Sequence, residues 1–441
     1  MAATDAKDHH GSHRGLIIAH SDKPSMPRPD SRVDAIIVPT IRPAWYLQQA
    51  AWLAHWHSCP LVTLHSQHLP LALQDEFGPS RPSRSNARQT ARLLQQDIDL
   101  ISIDIPYQSF LGLPSMKTTE MLAGTRFERR ADTSAKRNIG LILSKLAGWQ
   151  RIVFLDDDIR VPNPDDLKRA CATLDPSNYQ AVGMAIGGYP DNSVVCHAHR
   201  ETGGKQDTFV GGGALAVEVS QSQSLFPSIY NEDWFYLLDM VEGLRPLTIA
   251  GTAIQAEYDP YATPARARSE EFGDVLAEGA LWLLDEGLSL MEANPAFWAE
   301  FMEKRRRFIE SVLEGVLKHV PEKPLSAGKQ IKMEKSLRAA LARLHCIRPE
   351  LCWKYLEAWS ADQQEWRSYL GRLPVGLPLE MAVEWVRQLG VSPVLRRQRK
   401  QLVSWRYGSR SAYDSPWSAL PAAPVTNLAA EVPAAESSPA A

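Results

Sequence analysis

Three consecutive carboxylates, Asp156, Asp157 and Asp158, follow directly on the apolar run Ile152-Val-Phe-Leu155. A short continuous apolar run rich in β-branched and aromatic residues predicts a strand buried on both faces. Adjacent carboxylates repel one another unless a cation neutralises them, and the carboxyl edge of an open α/β sheet is where ligands bind. On an extended backbone Asp156 and Asp158 point the same way and Asp157 the other. Carboxylates completed by substrate phosphates are the usual holders of Mg²⁺ or Mn²⁺, and that is the chemistry this stretch predicts. The competing reading is a solvated acidic turn in which Asp158 caps a following helix. Downstream, Gly211, Gly212 and Gly213 enter a second apolar run, where glycines permit close approach of a ligand or make a bulge or tight turn. Glu232 and Asp233 stand at a predicted helix start, where free N–H groups favour carboxylates.

The elements that would position these groups follow from periodicity. Val33–Val38, Leu61–Leu64 and Asp99–Ile105 predict strands, and the aromatic-rich stretch from Trp45 to His57 predicts a helix. Thr133 or Ser134 offers an N-cap for a second helix. Its apolar face is Ile139, Ile142, Leu143 and Leu146, and Gly148 stands where a terminating glycine belongs. That helix leads into the Asp-rich strand. Strands alternating with helices argue for a mostly parallel α/β sheet with flanking helices. Beyond Asp158 we expect a helix to Leu174, a strand over Ala181–Ile186, a strand to Val217 and a helix from Asn231. From about Gly279 the pattern is amphipathic and helical. The expected organisation is an N-terminal arm (1–31), a catalytic domain (32–278), a helical C-terminal domain (279–410) and a Pro/Ala-rich tail (411–441). Residues 67–89, rich in Pro, Ser and Arg, read as a loop.

Ala135-Lys-Arg-Asn138 at a helix start, Leu155-Asp-Asp-Asp158 ending the next strand, Gly211-Gly-Gly213 and Glu232-Asp233 occur in that order. In this order and spacing the chain, from about Val33 to Asp259, resembles glycosyltransferases of the GT-A fold, particularly the family 2-like group with its D-x-D motif. The resemblance implies a nucleotide-sugar donor and Mn²⁺ or Mg²⁺. Thr40 and Arg42, after the first strand, would lie against the donor. Lys136, Arg137 and Asn138 would face its diphosphate, since a helix N-terminus combines free N–H groups with positive charge. Asp156 and Asp157 would take the donor side, with a structural role as the alternative for Asp157, and Asp156 and Asp158 would stand at the metal. The glycine loop would meet the acceptor, and Asp233, supported by Glu232, would be the catalytic base. His197 and His199 point to one face if extended, and His199 is the candidate third metal ligand. The late histidine usual in that family is missing here, with Glu257 or Asp259 as its replacement. Alternatives are a sugar-nucleotide-modifying enzyme or nucleotidyltransferase on the same fold, or a non-catalytic scaffold that keeps it.

Composition narrows the classes. The 441 residues are 44% hydrophobic and 22% charged, with a formal net charge of −3. That balance gives no general affinity for nucleic acid or an anionic membrane, and Lys304–Arg307 and Arg396–Lys400 read as solvated helix faces. No apolar run reaches the roughly 18 residues of a membrane span. No Walker lysine motif, dinucleotide-binding glycine pattern or EF-hand loop is present. The five cysteines make no C-x-x-C pair, which argues for a reduced, cytoplasmic protein.

Overall fold

The structure is a computed structural model that describes residues 32–66, 86–94, 97–106, 111–175, 179–189, 192–205, 210–242, 247–318 and 326–398. The arm expected over 1–31 and the tail expected from 411 lie outside these residues, as does the expected loop as far as residue 85.

One sheet contains β1 (Ala35–Thr40), β2 (Leu61–Ser66), β3 (Leu100–Ile105), β4 (Arg151–Leu155), β5 (Ile159–Arg160), β6 (Ala181–Gly188), β7 (Ala214–Glu218), β8 (Thr248–Gln255) and β9 (Ser392–Arg396). Their order is β5-β8-β6-β7-β4-β1-β2-β3-β9. β3, β2, β1 and β4 are parallel neighbours, as are β6 and β8, whereas β7, β5 and β9 pair antiparallel. The mostly parallel α/β sheet expected from the sequence therefore forms. Ala35 and Ile37 of β1 pack in one layer with Ile139, Leu143 and Phe154, while Ile36 and Val38 pack in the other with Leu53, Val153 and Leu155. Burial of both faces is why these strands read as unbroken apolar runs.

Around the sheet lie α1 (Gln48–Trp56), α2 (Asn86–Leu93), α3 (Lys117–Leu122), α4 (Thr133–Ala147), α5 (Asp165–Thr173) and α6 (Val194–Glu201). They are followed by α7 (Glu232–Glu242), α8 (Pro264–Asp285), α9 (Pro295–Lys318), α10 (Ala327–Leu344), α11 (Pro349–Arg372) and α12 (Leu379–Arg387). α4 buries its predicted stripe and ends at Gly148, whose φ of 71° is left-handed and whose N–H reaches the carbonyls of Ser144 and Lys145. Neither predicted N-cap is used: Ser134 Oγ donates instead to the Pro227 carbonyl at 2.7 Å.

Several elements depart from expectation. Val194–Glu201 is helical, so His197 and His199 do not share a face. The loop read over 67–89 gives way to α2 at Asn86, and α8 begins at Pro264, upstream of the expected helical start. The chain from Pro295 onward builds a cluster with α8 around Phe272, Trp298, Val312, Leu337 and Tyr355. It also enters the sheet's own core through Trp366, Leu370, Val383 and Val386. Trp366 Nε1 donates to the Ser224 carbonyl at 2.9 Å. The Asp362 carboxylate accepts the N–H groups of Lys117 (2.6 Å) and Thr118 (3.0 Å), supplying an anion to the free start of α3. Among the described residues no helix is long and apolar enough to cross a membrane.

Candidate functional site

The carboxyl ends of β1 and β4 are neighbours, and this brings Thr40 and Arg42 onto the acidic stretch. β4 stops at Leu155 and the chain turns, with Ile159 N–H bonded to the Asp156 carbonyl at 3.1 Å. The alternation expected of an extended backbone is lost in this turn. Asp157 and Asp158, not Asp156 and Asp158, share a partner. Arg42 Nη1 lies 2.8 Å from Asp157 Oδ1 and 3.0 Å from Asp158 Oδ2. Thr40 Oγ1 donates to Asp157 Oδ2 at 2.5 Å and accepts the Arg42 N–H at 3.0 Å. Burial raises the Asp157 carboxyl above its usual range, with Arg42 pulling the other way. Asp157 is the most enclosed of the three and is a strut between strand ends.

Asp156 turns to the start of α4. Arg137 Nη2 sits 3.0 and 3.2 Å from its two oxygens, while Nη1 of the same guanidinium donates to Glu232 Oε1 at 2.8 Å. Arg137 is buried and joins β4 to α7. Its neighbours have a different use from the one expected. Lys136 is 2% exposed, and its Nζ meets the Thr40 carbonyl (3.0 Å), Ser66 Oγ (2.7 Å) and Asp132 Oδ1 (2.8 Å). An ammonium has three N–H groups and all three are committed, so Lys136 ties β1 and β2 to α4 and has none left for a diphosphate. Asn138 exchanges two hydrogen bonds with the Phe226 backbone, at 2.8 and 2.9 Å, and is equally a framing residue.

The glycine loop closes the site. Asp156 N–H bonds to the Gly213 carbonyl at 2.9 Å, and Gly212 N–H donates to Asp233 Oδ2 at 2.6 Å. A Cβ on Gly212 would lie 2.7 Å from Arg137 Nη1 and 2.8 Å from Asp233 Cβ. No side chain fits between the arginine and the aspartate. Gly212→Ala should therefore lower stability by about 1–3 kcal/mol, the usual result of overpacking. Thermal melting would show it, and an unchanged melting temperature would mean that Arg137 moves aside freely.

Asp233 and Glu232 follow Asn231, whose φ of 63° is left-handed, a conformation asparagine tolerates better than most residues. Asn231 Nδ2 donates to Asp274 Oδ1 on α8 at 2.9 Å. Asp274 is in turn paired with Arg305 of α9 at 2.9 Å. Arg305, expected on a solvated face, is buried among Glu271 (3.0 Å), Asp274 and Glu278 (2.6 Å). One guanidinium cannot neutralise three carboxylates. Burial, opposed by Arg305, holds the Glu271 carboxyl up to about 7 and raises Asp274 as well. Protonation is thus tighter in the folded chain. The contribution of Glu271 to stability is full below about pH 4.5, the ordinary range of an unfolded glutamate, and is lost as pH climbs through about 7. Between pH 5 and pH 8 we expect a decline on the order of 1–3 kcal/mol. Denaturation of wild type and Glu271→Gln at both values should show a flatter profile for the variant, and equal slopes would clear Glu271 of the effect. Nothing local in the sequence marks Asn231, Asp274 and Arg305 as a chain that positions Glu232 and Asp233.

The histidines are not ligands of the acidic turn. His199 Nε2 faces the Lys205 carbonyl at 3.2 Å and its ring meets Phe308 edge-on at 5.0 Å. Among the described residues no three His, Cys, Asp or Glu side chains converge as a metal cluster, so the set Asp156, Asp158 and His199 is not assembled. The donor chemistry still suits a cation. Asp156, Asp157, Asp158, Glu232 and Asp233 outnumber Arg42 and Arg137, the guanidiniums paired with them. An anionic diphosphate would be repelled there unless it arrived with positive charge.

No protein-family model and no curated protein matches this chain. Among solved structures, the mannosyltransferase PcManGT from Pyrobaculum calidifontis, in complex with GDP-Man and Mn²⁺, is similar over 78% of this chain and 91% of its own. The TM-score is 0.41 and the sequence identity 15%, a likeness that assigns neither fold nor activity.

Proposed function

We propose that this chain is a glycosyltransferase of GT-A type, akin to the family 2 group, that moves a sugar from a nucleotide-sugar donor to an acceptor. One observation carries the reading: the ends of β1 and β4, the start of α4, the glycine loop and the start of α7 converge through Arg42 and Arg137. In this reading Thr40 and Arg42 border the donor. Asp158, with Asp156, is the carboxylate pair for Mn²⁺ or Mg²⁺, because these two keep more solvent exposure than Asp157. The bound ion would stabilise the negative charge that develops on the departing nucleoside diphosphate. Arg137 holds Asp156 and Glu232 in place, and Asp233, beside the glycine loop, takes the proton of the acceptor hydroxyl. Release of nucleoside diphosphate from a panel of nucleotide sugars with Mn²⁺ tests the reading. Tight donor binding without release across the panel would leave a binding protein.

The metal part has its own prediction. By calorimetry, nucleoside diphosphate should bind in Mn²⁺ or Mg²⁺ and lose at least about tenfold in affinity in Asp158→Asn, since the ion needs both carboxylate and phosphate oxygens. Equal binding in EDTA would remove the ion from the reading and leave Arg42 as the phosphate's partner.

A further inference from the structure

A second cluster stands on the same sheet edge as the acidic turn. Gln255, the last residue of β8, pairs with Ile159, and the next N–H, that of Ala256, donates to the Asp158 carbonyl at 3.0 Å. Tyr258 follows on this segment, and Tyr189 follows the end of β6, the parallel neighbour of β8. Between them lies His197 of α6. Tyr189 stacks on the imidazole with centroids 5.0 Å apart and planes at 22°, and Tyr258 meets both rings edge-on.

The polar contacts fix the chemistry of this cluster. Arg200 Nη2 lies 2.9 Å from His197 Nδ1, and His197 Nε2 lies 2.9 Å from Tyr258 Oη. A guanidinium only donates, so Nδ1 is the acceptor and Nε2 carries the proton it gives to Tyr258. Burial first, then Arg200, Arg266 and Lys329, push the imidazole down to about 3, and it stays neutral. With both nitrogens spent, His197 is a holder of Arg200 and Tyr258, not a base or a metal ligand. The nearby cations differ in their partners. Arg266 is paired with Glu270 at 2.7 Å and Lys329 with Glu201 at 2.5 Å. Arg200 makes no ion pair among the described residues, and its buried Nε has no hydrogen-bond acceptor there. Glu201, Glu257 and Asp259 act on neighbouring Tyr189, but none of them is ion-paired with Arg200. A half-buried guanidinium with no ion pair among the described residues gains when an oxyanion meets it.

We propose that Tyr189, His197, Arg200 and Tyr258 form an acceptor subsite for a sugar that carries an oxyanion, phosphate or carboxylate. Tyr189, stacked on the imidazole by one face, offers its other face to the apolar side of the sugar ring. Tyr258 lies under the Arg266 guanidinium at 4.5 Å and borders the site, and Arg200 receives the anion. The acceptor role rests on the glycosyltransferase reading; the binding site rests on the cluster itself.

The full chain would be titrated with glucose 6-phosphate, glucuronate, methyl glucoside and inorganic phosphate by ligand-observed NMR, and with nucleoside diphosphate and Mn²⁺ in the same samples. Charge-assisted hydrogen bonds predict that at least one charged sugar binds about tenfold or more tighter than methyl glucoside. Arg200→Met should erase that difference and leave nucleoside diphosphate binding unchanged, and Tyr189→Ala should weaken every sugar. Preference between the two charged sugars identifies the oxyanion. Equal binding of charged and neutral sugars, inorganic phosphate binding as tightly as the sugar phosphate, or an Arg200→Met without effect would each overturn the subsite. If Arg200→Met fails to fold, Arg200→Gln is judged by the same ratios. Nucleotide binding without sugar binding sinks only this inference. Sugar binding without nucleotide binding sinks the transferase reading and the acceptor role, leaving a saccharide site.

Discussion

Arg137→Met is expected to lower stability by about 3–5 kcal/mol, the usual loss when one partner of a buried ion pair is removed. The side chain is 4% exposed and lies between Asp156 and Glu232. Methionine retains the apolar stem but leaves both carboxylates without this guanidinium. Glu232 is already raised above the ordinary carboxylate range by burial, with Arg137 as the largest opposing influence. Without the arginine that opposing influence is gone and the buried carboxylate is left uncompensated. Urea denaturation at pH 7 measures the loss. Because the damage is unpaired charge, not missing volume, Arg137→Met combined with Glu232→Gln should recover part of it. A loss below about 1 kcal/mol would put Arg137 among ordinary surface ion pairs, its remaining role being to lie over the Phe226 ring at 5.5 Å.

What the sequence disclosed, and what it hid, divides along sequence distance. The strand before Asp156 and the helix before that strand were readable because burial patterns and a terminating glycine are local signals. The partner of Asp157 was not, since Arg42 lies 115 positions away and meets it only because β1 and β4 are neighbours. Lys136 carries the local signature of a phosphate ligand, a cation at a helix start. Only the tertiary arrangement reveals that Thr40, Ser66 and Asp132 use up its hydrogens. α6 misled for another reason. His197 and His199 alternate with Ala198 as in a half-buried strand, although Ser193, which accepts the Cys196 N–H at 3.4 Å, was a legible N-cap. β8 has mixed exposure and a left-handed Gly251, so its period is weak. β9 contains Pro393, tolerated because the strand lies at the sheet edge.

Asp233→Asn carries the largest expected effect on turnover, a loss on the order of 10²–10⁴, the range of a general base. The substitution also has a structural consequence that follows from two bonds. Asp233 Oδ2 accepts the Gly212 N–H at 2.6 Å and Oδ1 accepts the Trp234 N–H at 2.9 Å. An asparagine has one oxygen, so one of these N–H groups would face an NH₂. Stability should fall by about 1–3 kcal/mol as that donor goes unsatisfied, whether or not Asp233 is the base. The melting temperature therefore cannot separate a base from a latch on the glycine loop. Donor affinity can. Each carboxylate oxygen retains a lone pair beyond these bonds, leaving capacity to accept an acceptor's proton. A base acts after the donor is bound, so nucleoside diphosphate binding should stay within about twofold of wild type while turnover collapses. A latch holds Gly212 against Arg137, and its loss would disturb Asp156 and weaken donor binding along with turnover. Proportional loss of both would assign Asp233 to positioning. The stereochemistry of the product supplies the remaining discriminator. An inverted anomeric centre fits a base beside the incoming hydroxyl, and a retained one would take that role from Asp233.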